Sequence, residues 1–300
     1  MEKLYNCLNE YYQKKFKERV LKIPIDGGFT CPNRDGSKGL EGCIFCSSRG
    51  AGDRLKAIPI NQQIANYFAS FKKDKANKFI AYFQNFTNTY APIEILKNRY
   101  DEALFDKRII GLAIATRADA INEEICQLLA SYKEKYFVQV ELGLQTSNAN
   151  HRKLLNQNVS DEDFIKAINL LNKYDIEIVI HIMVGLPYEN HDDIKNTVQF
   201  LNKINYNGLK IHSTYIEKDT VLSKMYEMGL FKPIALEDYL EELIYILTHI
   251  KKDVIIHRLT GDPYLANLVA PTWMLHKKLI LNNIEKILEI RHLKQGCFFN

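Results

Sequence analysis

Short apolar runs rich in β-branched and aromatic residues alternate, along most of this chain, with amphipathic stretches about a dozen residues long. The runs at 78–84, 109–115, 137–144, 176–184 and 208–212 read as strands, and the stretches at 61–71, 92–104, 122–132, 161–174 and 191–204 carry helical spacing. Strands that are continuously apolar, each followed by a helix, imply parallel βαβ units with both sheet faces covered. An opening strand at 22–25 brings the count to six units. A closed eight-stranded barrel needs two more, and a doubly wound sheet needs a reversal of strand order that nothing in the sequence indicates. The expected fold is therefore α/β, a partial (β/α)6 TIM-like barrel. An N-terminal helix precedes it, and a C-terminal helical extension follows with a helix at 236–251, a strand near 254–257, the polar loop HRLTGDPY and a final helix at 272–291. No linker, low-complexity tract or repeat interrupts the chain. One domain over 1–300 is expected, with the core barrel at about 20–215 and the extension at about 216–300.

At 46% apolar and 25% charged residues over 300 positions, disorder, collagen-like repetition and a disulfide-stapled miniature are excluded. The 40 basic and 36 acidic residues nearly cancel, so a polyanion partner has to be argued from a local surface. No uninterrupted apolar run approaches the roughly 18 residues of a membrane span, and the start Met1-Glu2-Lys3-Leu4 lacks a signal-peptide core. The expectation is a cytoplasmic protein with no membrane partner, in which cysteines serve as packing groups, metal ligands or catalysts.

Three of the six cysteines, Cys31, Cys43 and Cys46, share one Gly-rich, non-periodic segment after the opening strand. Cys7 and Cys126 lie on helical apolar stripes and read as packing cysteines, and Cys297 has no ligand-type neighbour in sequence. A C-x11-C-x2-C set suits either zinc or an iron-sulfur cluster. Structural zinc wants four closed ligands, and the first histidine is His151, so a fourth would have to come from elsewhere in the fold. A 4Fe-4S cube held by three thiolates keeps its fourth iron open for a small molecule. Phe45, just before the third cysteine, suits either packing against a purine at that iron or a place in the core.

The runs GFTCPNRDGSKGLEGCIFC, AYFQNFTNTYAP, ATRAD, VELGLQTSN, HIMVGLP, GLKIH and HRLTGDPYLANLVAPTW occur in this order across nearly the whole chain. Together they resemble the YtqA/YhcC-type radical S-adenosylmethionine family, in which a wider first spacing replaces the usual C-x3-C-x2-C. A more distant likeness is to the radical domains of the Elongator catalytic subunit and of oxygen-independent coproporphyrinogen oxidase. The resemblance implies a 4Fe-4S cluster on Cys31, Cys43 and Cys46, S-adenosylmethionine, its reductive cleavage to a 5'-deoxyadenosyl radical, and a flavodoxin or ferredoxin-type electron donor. It also implies cofactor contacts at strand ends, where parallel barrels collect polar groups. Gln84, Asn85 and Thr87 follow the second strand, Thr116 ends the third, and Glu141 and Gln145 lie on and after the fourth, on one side if that strand stays extended. His181, Met183 and Gly185 belong to the fifth. Where relatives carry an arginine for the methionine carboxylate in an N-R-G-H pattern, this chain has Asn156-Gln157-Asn158, so that either Arg152 or Arg117 substitutes or the affinity for the cofactor is lower.

The same resemblance points to tRNA, with conversion of a carboxymethylaminomethyl group toward aminomethyl on a thiolated wobble uridine. Basic clusters at Lys14, Lys15, Lys17, Arg19 and Lys22, and at Lys277, Lys278, Lys286, Arg291 and Lys294, suit phosphate contacts or simply solvated helix faces. Tyr82, Phe83, Phe86 and Tyr90 suit base stacking or core packing. A radical enzyme on a small metabolite or tetrapyrrole-like molecule, and a non-catalytic iron-sulfur or zinc protein, are the competing expectations. His257, Arg258, Thr260 and Asp262 crowd into the C-terminal loop. They form either an ion-pair latch or part of the substrate site, with His257, Arg258 and Asp262 as the catalytic candidates.

Overall fold

A computed structural model describes residues 3–50, 55–70 and 75–299. Its strands are β1 (Val20–Ile25), β2 (Lys78–Phe83), β3 (Ile109–Thr116), β4 (Phe137–Gln145), β5 (Glu177–Val184), β6 (Gly208–Ser213), β7 (Ile216–Glu217), β8 (Ile255–Arg258) and β9 (Leu268–Ala270). β1 to β6 and then β8 pair side by side, all parallel, in a seven-stranded sheet. The six expected units are present in the expected order, and the strand assigned to the extension is the seventh stave of the same half-barrel. β7 and β9 form a separate antiparallel pair.

Helices start where local chemistry caps them. Asn122, Ser160 and Asn190 accept backbone N–H bonds at the starts of α4 (Glu123–Lys133), α6 (Asp161–Lys173) and α7 (His191–Lys203), and the last two are capping boxes with Asp163 and Asp193. With α2 (Ile60–Ala69) and α3 (Ile93–Ala103) they cover the outer sheet face, where Ile23, Phe83, Leu112, Leu142, Ile180 and Leu209 are buried. Within the extension, α9 (Leu236–His249) packs on α7, and α10 (Lys277–Ile290) packs on α9. The stretch expected as one helix from 272 begins as a 3-10 turn over Thr272–His276.

The N-terminal helix α1 (Leu8–Phe16) packs against both edge strands of the sheet, β1 and β8. Cys7, one residue ahead of it, bridges in parallel to Ile256 of β8, and the Ile256 N–H donates to the Asn6 carbonyl. Tyr12 then buries its ring with Val20, Ile80 and Ala113 on the concave side of the sheet. The segment thus spans the gap between the edge strands β1 and β8 and plugs the N-terminal end of the half-barrel.

Candidate functional site

The segment after β1 folds on its own backbone bonds. Arg34 and Asp35 N–H groups donate to the Cys31 carbonyl at 2.8 and 3.2 Å, and Cys46 N–H donates to the Cys43 carbonyl at 2.9 Å. The turn at 156–158 clamps it from the side. Asn156 Nδ2 donates to the Gly42 carbonyl at 2.7 Å, Asn33 Nδ2 returns to the Asn156 carbonyl, and Ile44 N–H donates to the Leu155 carbonyl. Asn156 and Asn158 occupy the left-handed region, as asparagine tolerates. The three cysteines are thereby brought together. The Cys46 thiol bonds toward Cys43 and, with Arg117, Asn33 and Arg34, holds Cys43 below the usual thiol range against the effect of burial. Cys46 is pushed up in consequence. A thiolate is the iron ligand, so cations facing these sulfurs fit an anionic cluster. Among the described residues no three Cys, His, Asp or Glu side chains converge as one metal ion would require. A cube, by contrast, takes each thiolate on a different iron. His151 lies against Asp193, 4.0 Å away.

Polar groups left without a partner mark the sheet end beside this loop. Asn85 gives its amide N–H to Asp26 at 3.2 Å but its carbonyl oxygen is buried and unmatched, as are the Thr87 hydroxyl, Asn33 Oδ1 and Gln157 Oε1. Buried polar atoms are normally paired, so such a group of orphans suits a polar ligand. Thr116 is spent on Thr89, 2.6 Å away. Met183 is buried with Ile44 and Leu186 under the loop, and Phe45 packs against the same group. Gly185 has φ +81°, and a Cβ there would sit 2.6 Å from Ile234, so no side chain is tolerated at this strand end. Of the two arginines expected as substitutes, Arg152 is committed to Asp161 and to the Thr146 and Val159 carbonyls. Arg117 is held by Asp119 at 2.8 and 2.9 Å, and its charge acts on both Cys31 and Cys43. Gln157 ties its amide to the Gly143 carbonyl at 2.7 Å.

Strand β4 does not stay extended to its end. Its register with β5 slips between Gly143 and Gln145, and Gln145 has φ +66°, so Glu141 and Gln145 do not follow simple alternation. Glu141 instead sits wholly buried in the concave floor of the sheet. Lys22 of β1 reaches it at 2.6 Å, Lys210 of β6 pairs with it, and His181 Nε2 lies 2.9 Å away. Burial alone would raise the Glu141 carboxyl, but Lys210 and Lys22 hold it well below the usual range. Lys210 is lowered to about 7, first by burial and then by the Lys22 and Arg258 charges, with Glu141 opposing. Burial also lowers His181 to about 4, and both His212 and His257 well below the ordinary histidine value. The Tyr82 ring lies under both ammonium groups, 4.4 Å from Lys210 Nζ and 5.2 Å from Lys22 Nζ.

Lys22 therefore belongs to the interior and not to a basic surface, and other members of the expected clusters are paired: Lys15 with Glu177, Arg291 with Glu241, Lys277 with Asp262. Phe83 is core, against Phe29 and Tyr100. Phe86 lies beneath Arg34, and the Tyr90 hydroxyl meets Ser37. Gln84 donates its N–H to the Ile25 carbonyl at the end of β1. In the C-terminal motif a slip in the β6–β8 register places one extra residue, His257, between Ile256 and Arg258. A Cβ on Gly208 would fall 2.5 Å from His257 Nε2, so this glycine admits the ring to the floor. Arg258 makes a loose 3.9 Å pair with Asp262, and Thr260 meets the Ser213 hydroxyl at 3.4 Å.

One neighbouring carboxyl yields a pH prediction. Glu189 Oε2 accepts the Gly185 and Leu186 N–H groups at 2.7 and 3.2 Å, its other oxygen is unpartnered, and burial pushes the carboxyl up to about 8. Because the folded value exceeds the unfolded one of about 4.3, this group favours folding at low pH and loses that contribution as pH rises toward 8. Glu189→Gln keeps both acceptor bonds without the charge. Its melting temperature should match the wild type at pH 5 and exceed it at pH 8.5, whereas an equal deficit at both pH values would show that the carboxyl titration has no part in stability.

Comparison with known proteins agrees with this geometry. The Radical SAM superfamily model matches residues 31–201, and the Radical_SAM C-terminal domain model matches 206–289. The uncharacterized protein YtqA of Bacillus subtilis is 36% identical over 303 residues, covering 99% of this chain and 94% of its own. A tRNA uridine(34) acetyltransferase of Methanocaldococcus infernus is 30% identical over 159 residues, 52% of this chain and 29% of that protein. The structure of Methanocaldococcus infernus Elp3 lacking residues 1–46 superposes with a TM-score of 0.69 at 20% identity, over 92% of this chain and 64% of that one, which shows a shared fold. No helix among the described residues is long and apolar enough to cross a membrane. With a cysteine loop at the open end of a parallel half-barrel, and family models spanning more than half its length, the chain belongs to the radical SAM superfamily, in its YtqA/YhcC type, and its cofactors are a 4Fe-4S cluster and S-adenosylmethionine.

Proposed function

We propose that this enzyme acts on tRNA, converting the carboxymethylaminomethyl group of a thiolated wobble uridine toward aminomethyl. The observation that carries the reading is the 30% identity, over half the chain, to a protein that is named for chemistry on tRNA uridine 34. Cys31, Cys43 and Cys46 hold the cluster. When bound, the cluster and S-adenosylmethionine supply an electron and a 5'-deoxyadenosyl radical that takes a hydrogen atom from the substrate. Asn85, Thr87, Gln84 and Gln145 offer polar contacts to that cofactor at the strand ends, Gly185 leaves room for its approach, and Phe45 and Met183 give it an apolar wall. Arg117, whose charge acts on Cys31 and Cys43, would supply the counter-charge for its carboxylate. Glu141 and His181, engaged with each other and with two lysines, face the substrate's side of the site from below. His257, Arg258 and Asp262 complete that side. The electron donor is a flavodoxin or ferredoxin type, and the compartment is the cytoplasm.

Nucleosides from the tRNA of cells with and without this gene decide the matter. Without the gene, the carboxymethylaminomethyl nucleoside should accumulate and the aminomethyl form should fall below detection by mass spectrometry. Identical nucleoside profiles would sink the tRNA reading and leave the radical SAM assignment intact.

A further inference from the structure

The concave floor holds more positive charge than its own carboxylate balances. Lys22, Lys210 and Arg258 converge there from β1, β6 and β8, and Glu141 is the carboxylate that Lys22 and Lys210 share. Glu177, lower on β5, is taken by Lys15 and Tyr11. Asp262 stands off from Arg258 at 3.9 Å, and Glu217, beyond Tyr215, accepts the Tyr264 N–H. Two buried ring nitrogens on either side of this layer lack a hydrogen-bond partner: His212 Nε2, two residues beyond Lys210 on β6, and His257 Nδ1, whose ring lies against Gly208, two residues before it. The β6–β8 slip that inserts His257 also sets Arg258 opposite Lys210. The Arg258 charge is felt at Tyr82, His181, Lys210 and His212 below it, and at Tyr215, which also senses Cys46. The cysteine loop follows the last residue of β1, and Lys22 and Lys210 face inward three residues before the ends of β1 and β6, so both belong to the same end of the sheet.

We propose that this layer, with Lys210 and Arg258 as its principal donors and Lys22, His212 and His257 around them, is the receptor for a carboxylate on the substrate. Depth separates it from the cofactor's own carboxylate. Lys22 and Lys210 each lie three residues before the last residue of their strands, about 10 Å below the sheet end at about 3.3 Å per residue. Charges brought out of water need a counter-ion, and Glu141 is one carboxylate against the ammonium groups of Lys22 and Lys210, while Arg258, one-third exposed, has the loose Asp262 pair that Lys277 also uses. A second carboxylate arriving from the open end satisfies the excess and gives the orphaned His212 Nε2, on the open side of Lys210, a partner. Ala115, which lies opposite Glu141 in the β3–β4 register, keeps the side chain beside that carboxylate small. The inference rests on the proposed function for the identity of the substrate, since a carboxymethylaminomethyl group ends in such a carboxylate, but the pocket can be tested without tRNA.

The probe is N-benzylglycine, which presents ring, methylene, amine and carboxymethyl in that order, with its methyl ester and benzylamine as controls. Titrated against the cofactor-loaded enzyme and followed by melting temperature, the acid should stabilise the wild type while the ester and benzylamine do not. Lys210→Met should weaken apparent affinity for the acid about tenfold or more, the scale of one lost charge-assisted hydrogen bond, and Lys210→Arg should restore part of it. If Lys210→Met does not fold, Arg258→Gln, altered at a side chain one-third exposed, gives the same reading with a loss of similar size. Equal stabilisation by acid and ester, no stabilisation by the acid, or undiminished affinity in the folded variants would overturn the pocket. Loss of the nucleoside difference in cells with the probe result intact would overturn only the tRNA reading.

Discussion

Replacing Cys31, Cys43 or Cys46 singly by Ala should remove the broad absorption near about 400 nm of the reconstituted cluster and abolish reductive cleavage of S-adenosylmethionine, while the melting temperature of cluster-free protein stays close to the wild type. The two halves of that expectation have separate causes. A cube with three protein thiolates has no spare ligand, so each loss is complete and not graded. The loop's shape, however, comes from backbone bonds within 31–46 and from the clamp of Asn156 and Leu155, beside which the Cys43 sulfur's own contacts with Asn33 and Asn156 are long, 3.8 and 3.9 Å. Cys7→Ala, Cys126→Ala and Cys297→Ala should retain the cluster. Cys7 serves as the residue ahead of α1 that bridges to β8, and Cys126 is enclosed in the core beside Ile125 and Leu129. Retention of the cluster in any one of the first three variants, or its loss in any of the second three, would reassign the ligands.

The half-barrel was legible because its outer face follows simple rules. Phe83, Leu112, Leu142, Ile180 and Leu209 sit in strands whose flanking helices announce themselves by caps and by 3.6-residue spacing, and expected element ends fall within about two residues of the observed ones. The concave face was not legible in the same way. A signal was present: Lys22 lies between Leu21 and Ile23, Glu141 between Val140 and Leu142, His181 between Ile180 and Ile182, and Lys210 between Leu209 and Ile211. Polar residues at period two on parallel strands mark an inner surface that is not filled by apolar side chains. Reading the strands as apolar on both faces hid that alternation and assigned Lys22 to a surface cluster. Two local irregularities lay beyond any periodicity. The slip at Gly143 and Gln145 breaks the expected pairing of Glu141 with Gln145, and the slip at His257 turns a strand assigned to the extension into the stave that carries Arg258 inward. Bulges are set by contacts between strands, and one strand's sequence does not contain its neighbour's register.

The largest stability effect should come from Glu141. Glu141→Gln removes a carboxylate that is wholly buried and shared by Lys22, Lys210 and His181, and the two ammonium groups then face each other with no anion between them. Breaking a buried ion pair from one side costs about 3–5 kcal/mol, so the unfolding midpoint in urea at pH 7 should fall by a large fraction of the total stability. The pH dependence identifies the cause. In the wild type the Glu141 carboxyl is held well below its unfolded value, so its contribution is present above about pH 4.5 and is lost as pH falls through the folded value. In Glu141→Gln, Lys210 keeps the burial and the Lys22 and Arg258 charges that already lower it to about 7, and loses the group that opposed them. Its folded value then lies further below the unfolded one of about 10.4, whereas wild-type Lys210, at about 7, keeps its proton in both states below pH 7; stability of the variant should therefore rise relative to the wild type from pH 5 to pH 7, and the two should run parallel above about pH 8. Adding Lys210→Met to Glu141→Gln should recover much of the loss at pH 7 by removing an amine that must give up its proton to stay buried there, a coupling that a double-mutant cycle measures directly. A pH-independent deficit with no recovery in the double variant would instead assign the effect to packing around Gln139 and Tyr82, and the floor would then be a structural layer whose charges matter little to the fold.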